Sequence, residues 1–384
     1  MALARIDEPA GGGAARGGMA LFALGFRPFY LLAAAYAALG VPLWALQFGG
    51  VLAGPGMLWH AHEMLFGYAF AVIAGFLLTA VRAWTGLPTP SGAALAAIAA
   101  IWLAARVAGY RWPLAGSVLD MLFALAVAWG IGRPLVLAGN RRNWFFIVLV
   151  LALGTASVGF LWLPRAGLAA ALDVVLFIMA VMGGRVIPAF TNNAIAGAGA
   201  RRNQWLEYAA LGSVLALLVA DLADLGRTAA SVALAAALLH AARLALWAPW
   251  STRTRPILWI LHVSYAWIVL HLALRGLAGF DLVAPGLATH ALTVGAIGGL
   301  TLGMMTRTAR GHTGRPLAVG RLEIAAYVLV QVAAVARALL PLALPGAYAA
   351  LVAASAALWC AAFALYLVVY LPILMRARLD GKPG

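Results

Sequence analysis

Trp59-His60-Ala61-His62-Glu63-Met64-Leu65-Phe66-Gly67-Tyr68 opens an apolar run that continues to about Val81. A bilayer crossing takes about 20 mostly apolar residues, and this run is long enough. Its first turn nevertheless holds two imidazoles and a carboxylate. A charged group in mid-membrane costs about 2.5 to 3.5 kcal/mol on insertion scales. The triplet therefore asks for a role: a metal or haem site, a proton path, or a polar patch reaching the headgroups. On a helix, positions 60 and 62 lie about 200° apart. They serve different neighbours unless the helix begins between them. Glu63 follows His60 by three positions, on the same face, where it can orient an imidazole or accept a proton.

The rest of the chain shares this character. Of 384 residues, 65% are hydrophobic and 10% charged, and the mean hydropathy is +0.98. Soluble domains carry about 25% charged residues. Apolar runs broken by Gly, Pro and Arg fall at roughly 22–47, 59–81, 92–109, 114–132, 143–163, 168–190, 205–224, 228–249, 256–277, 287–307, 319–341 and 346–375. The expectation is an all-α polytopic membrane protein with about twelve transmembrane helices, forming one domain over 19–384. The Ala/Gly-rich start, 1–18, lacks a basic start and a cleavage site, and reads as a disordered cytoplasmic tail.

Charge sets the expected orientation. Arg141 with Arg142, Arg201 with Arg202, Arg253 with Arg255, and Arg307 with Arg310 and Arg315 fall on the side shared by the two termini. The other side has only Arg106, Arg111, Arg165, Arg227, Arg275 and Arg337. The positive-inside rule then places both termini in the cytoplasm. The formal charge of +15 does not imply a nucleic-acid partner, because the arginines are scattered singly between apolar runs. The single cysteine, Cys360, excludes a disulfide framework and a Cys-rich metal or iron–sulfur site. A metal here is left with histidine, carboxylate, methionine or tyrosine. The sequence also has no phosphate-binding Gly loop, no Ser/His/Asp arrangement and no Cys pair for a c-type haem.

Six of the histidines fall inside these runs. At about 1.5 Å per residue, His60, His62, His271 and His290 share one level near the periplasmic face, and His240 and His262 lie deeper. His262 and His271 point about 180° apart, and His262 shares a face with Tyr265. His290 opens a helix crowded with Gly295, Gly298, Gly299 and Gly303. That stripe suits tight helix packing, or a flat macrocycle against bared backbone. Arg185 lies about a turn and a half from the end of the sixth run, with Pro188 after it expected to loosen the helix. An arginine there pairs with an anion or snorkels to the headgroups.

Several segments resemble the NnrS family: Phe26-Arg27-Pro28-Phe29-Tyr30, the Trp59–Gly67 stretch, Gly184-Arg185-Val186-Ile187-Pro188 with Thr191-Asn192, His290-Ala291-Leu292-Thr293-Val294-Gly295-Ala296, and Gly311-His312-Thr313-Gly314-Arg315-Pro316. The resemblance covers nearly the whole chain. It implies a twelve-span, haem- and copper-containing protein of the bacterial inner membrane, linked to nitric oxide metabolism and nitrosative stress. By resemblance His60, His62, His262 and His290 are ligand candidates, while His240 and His271 are weaker ones. The layout is also similar to the catalytic subunit of haem-copper oxidases and nitric oxide reductases, where histidines of the second and tenth spans hold a haem. The sixth and seventh spans here lack the histidines that hold copper in those enzymes.

The resulting expectation is haem b between His60 or His62 and His290, with a deeper site at His262 joined by His240 or Tyr265. Arg185 is expected on a cofactor carboxylate or small anion, and Glu63 and Tyr265 are candidates for acid–base work. Copper suits imidazole ligands. The implied partners are membrane lipid and nitric oxide, bound or reduced, with an electron donor that the residues do not name. The alternative is a transporter of a metal, haem or small anion. It would use the same histidines as passing ligands, Arg185 on the path and Pro188 at a broken helix.

Overall fold

The computed structural model describes residues 20–382; the tail expected over 1–18 lies outside them. The described residues form helices and turns, with no strand. Among the described residues twelve helices are long and apolar enough to cross a membrane. They are α1 (Phe26–Phe48), α2 (Gly56–Thr85), α3 (Gly92–Arg111), α4 (Pro113–Leu137), α5 (Arg141–Trp162) and α6 (Pro164–Ala194). Then come α7 (Gln204–Leu222), α8 (Gly226–Leu246), α9 (Pro256–Gly279), α10 (Pro285–His312), α11 (Arg321–Ala343) and α12 (Pro345–Met375). Each matches a run read from the sequence.

Proline starts several of these helices, at Pro113, Pro164, Pro256, Pro285 and Pro345, where its missing N–H is not needed. Gly86 ends α2 in the left-handed conformation, at φ 69°, which a residue without Cβ adopts freely. Helix α6 does not loosen at Pro188; it continues to Ala194. Its packing against α5, α7 and α9 keeps the helix continuous past the missing bond.

Consecutive helices pack as neighbours, and α12 returns to pack along α1. The most enclosed is α2, 83% buried over its apolar window, followed by α9 and α10 at 67%. These three stand at the centre. Outward faces expose Leu39, Val107, Leu125, Val148, Leu238 and Val368. Exposed tryptophans gather at the ends, with Trp112 and Trp162 at one and Trp144, Trp205 and Trp250 at the other. Apolar sides between two aromatic girdles are the surface of a multi-pass membrane protein.

The glycine stripe of α10 is filled by protein. A Cβ on Gly295 would strike the Trp267 indole, one on Gly298 would meet Trp359, and one on Gly303 would meet Leu261 and Ile260. Tight packing therefore explains these glycines, and no bared backbone is left along them for a macrocycle. Replacing Gly295 by Val forces the α9–α10 seam apart. Overpacking of this kind costs about 1–3 kcal/mol, so the thermal midpoint of detergent-purified protein should fall in fluorescence-detected size-exclusion measurements. An unchanged midpoint would mean the seam has room to spare.

Candidate functional site

The helices α2 and α10 both begin at the same end of the bundle, and a cavity of about 290 Å³ opens between them. Its walls are mostly apolar, from Val41, Leu65, Leu168, Val294, Ile297 and Val352. The polar groups on it include His60, Tyr68, Thr289, His290, Thr293, Ser355 and Arg337. His60 stacks on Trp44, with ring centroids 4.0 Å apart and planes at 18°. Its Nδ1 is buried with no hydrogen-bond partner. Nδ1 of His290 lies 2.6 Å from the carbonyl oxygen of Gly286 and donates to it, which leaves Nε2 with its lone pair. That pattern, one ring N–H on a backbone carbonyl and the other nitrogen unused, is how a ligating histidine is held.

Both histidine helices change register next to the cavity. The π-helical stretch Glu63–Ala69 follows His62, and Ala291–Gly298 follows His290. Segments of this kind are rare and gather at functional sites. The α-helical reading placed Glu63 on the face of His60, and the structure differs. Glu63 turns away and bonds His62 instead, at 3.0 Å.

His60 and His62 accordingly face opposite ways. His62 enters a buried polar cluster between α2, α3, α4 and α5. There Arg106 bridges the Glu63 and Asp120 carboxylates, with 2.6 Å to Glu63. The Tyr36 hydroxyl donates to Glu63. Ser157 Oγ lies 3.0 Å from both Asp120 and His62 Nε2. Both nitrogens of His62 thus face side-chain oxygens, and none of the cluster's side chains lines the cavity.

The deeper histidines do not converge. Arg243 donates to the Tyr265 oxygen at 2.7 Å, and Tyr265 to His240 Nδ1 at 2.7 Å. His240 Nε2 donates in turn to the Ala210 carbonyl, 3.2 Å away. That direction of donors uses every lone pair His240 has. His262 lies against the carbonyls of Leu258 and Trp247, at 3.1 and 3.3 Å, and Tyr265 serves His240 rather than His262. His271 donates from Nδ1 to the Ala288 carbonyl at 2.8 Å, and its Nε2 is buried without a partner. It stands beside α10 at the level of His290 but is not on the cavity wall.

Arg185 is far from the cavity. It donates to Asn143 at 2.7 Å and lies over the rings of Phe145 and Phe146. At about 1.5 Å per residue it stands about 25 Å along α6 from Leu168, which lines the cavity. The arginine at the cavity is Arg337. It is buried, donates to the Tyr348 hydroxyl at 3.0 Å, and has no carboxylate partner among the described residues. Sequence reading counted Arg106 and Arg337 only as charges at the helix ends. The available signal was depth, since Arg337 sits more than a turn inside α11 and Asp120 interrupts an apolar run.

Removing Arg106 strands two buried carboxylates, and breaking a buried pair costs about 3–5 kcal/mol. The variant Arg106→Met should lose most of its folded yield in membranes, read by size-exclusion chromatography. Wild-type yield would show that the cluster is not a structural lock.

Among the described residues no three of His, Cys, Asp or Glu gather as a metal cluster. The cavity does bring together two imidazoles, His60 and His290, from different helices. No curated protein matches the chain significantly. A family model described as NnrS protein matches residues 20–378, nearly its whole length. This twelve-helix chain belongs to the NnrS family.

Proposed function

We propose that the cavity between α2 and α10 holds haem b, with His60 and His290 as its axial ligands, in a bacterial inner-membrane protein of nitric oxide metabolism and nitrosative-stress resistance. The observation that carries this reading is the pair of imidazoles on separate helices, each with an unused nitrogen, in one mostly apolar cavity. A haem iron supplies the affinity for nitric oxide and the capacity for electron transfer. His290 is the held ligand, because the Gly286 carbonyl fixes its tautomer. His60 is held only by stacking on Trp44, so it is the more easily released. Arg337 is poised for a cofactor propionate, since carboxylates pair well with a buried guanidinium that has no other anion. The apolar walls exclude water from the same space.

The deeper pair, His262 with His240, is not included in this site. Copper is assigned no ligands, because no three-residue cluster exists for it among the described residues. The transport alternative leaned on a helix broken at Pro188 and on Arg185 along the path. Helix α6 is unbroken, and Arg185 is elsewhere.

Purified protein should be red, with a Soret band that shifts when nitric oxide or carbon monoxide is added. The variant His290→Ala should lose the haem, and His60→Ala should keep it with an altered, ligand-deficient spectrum. His240→Ala should leave the spectrum unchanged. Colourless protein, or a wild-type spectrum in His290→Ala, would overturn the assignment.

A further inference from the structure

Five of the ten tyrosines converge in the interior, although they come from four helices. Tyr30 is on α1, Tyr68 on α2, Tyr327 on α11, and Tyr366 and Tyr370 on α12; all are buried. Tyr366 lies within electrostatic reach of the other four, and its ring stacks on Tyr370 with centroids 4.5 Å apart. Thr306 of α10 lies beside Tyr327 and Tyr370. The hydroxyls of Tyr30, Thr306, Tyr327 and Tyr366 are nevertheless buried without a well-formed hydrogen bond, Tyr30 reaching only toward Thr308 and Tyr327 only toward Thr306. One such orphan is ordinary in a large protein. Four in one cluster are not, because a buried polar atom is normally satisfied by protein or by ordered water.

The cluster has two distinct ends. At one, Tyr370 donates to Glu323 at 3.3 Å, and Glu323 pairs with Arg310 at 2.7 Å near the start of α11. At the other, the Tyr68 hydroxyl meets Thr301 at 2.5 Å, and Tyr68 lines the His60/His290 cavity. Every member between is a hydroxyl, which donates and accepts at once. A file of such groups bridged by water relays a proton by passing hydrogen bonds along, without moving a charged side chain.

We propose that Tyr30, Thr306, Tyr327 and Tyr366 hold internal water, and that this file carries protons between Glu323 and the Tyr68–Thr301 pair on the cavity wall. The hydration stands on the orphaned hydroxyls alone; the use of protons at the cavity rests on the haem reading above.

The first test is X-ray hydroxyl-radical footprinting of the full chain in lipid nanodiscs, read by mass spectrometry, because radicals formed from internal water label the side chains beside it. Tyr327 and Tyr366 should be oxidised roughly tenfold faster than Tyr265, which is equally buried but has its hydroxyl bonded to His240 and Arg243. Rates as slow as that of Tyr265 would show a dry cluster and overturn the proposal. The second test follows proton uptake with a pH dye when the haem-loaded protein is reduced in proteoliposomes. Tyr327→Phe combined with Thr306→Val, and separately Glu323→Gln, should slow uptake roughly tenfold while the Soret band stays unchanged. Wild-type uptake rates in both variants would also overturn it. Colourless protein sinks the haem reading instead, and the footprint then decides the hydrated file by itself.

Discussion

A polar atom inside a bilayer has no bulk water to bond with, so the protein must supply its partner or leave a costly gap. Every acidic residue within the twelve helices meets that demand in the same way, by pairing with an arginine. Arg106 ties α3 to α2 and α4. Arg243 ties α8 to Glu207 on α7, to Tyr265 on α9 and to the Ala180 carbonyl on α6. Arg275 ties α9 to Asp173 on α6, at 2.6 Å, and to Asp221 on α7. Paired charges of this sort add little net stability, but losing one partner costs much. They fix which helix stands beside which.

Polar atoms that break this rule are informative for the same reason. His60 Nδ1, His271 Nε2 and the four hydroxyls near Tyr366 have no well-formed hydrogen bond, and Arg337 has no anion. His60 and Arg337 line the cavity, and the hydroxyls belong to the tyrosine cluster that reaches its wall at Tyr68. Most of the paired charges join helices from α2 to α9, and none of their carboxylates lines the cavity. The fold therefore sets paired charges between helices beside interior polar atoms that the protein leaves without such partners.

Helix number and limits were legible in the sequence because hydropathy and helix length are properties of each segment. The level shared by His60 and His290 was legible too, since depth follows from counting residues along a helix. Facing was harder. The α-helical spacing correctly separates His60 from His62, yet it pairs Glu63 with His60, whereas Arg106, Tyr36 and His62 draw the carboxylate into their own cluster. Arg337 and the tyrosines were passed over because each is ordinary on its own helix. Only the packing of α1, α10, α11 and α12 brings them together. The glycine stripe of α10 illustrates the converse, since its pattern invited a macrocycle and its neighbours are tryptophan, leucine and isoleucine side chains.

The cavity's walls come from both ends of the chain. Trp44 and Val41 belong to α1, while Val352 and Trp359 belong to α12. Long-range bonds close this seam: Trp359 Nε1 donates to the Ala37 carbonyl at 3.1 Å, and Arg27 donates to the Leu374 carbonyl at 2.8 Å. Such contacts carry the greatest loop-closure cost in the molecule and repay it only when both helices are in place. The arginine pairs, by contrast, join segments closer in sequence. The frame between α2 and α9 can therefore be specified by its own pairs, whereas the cavity exists only where α12 stands against α1. Its geometry depends on the completeness of the bundle more than on any one ion pair within it.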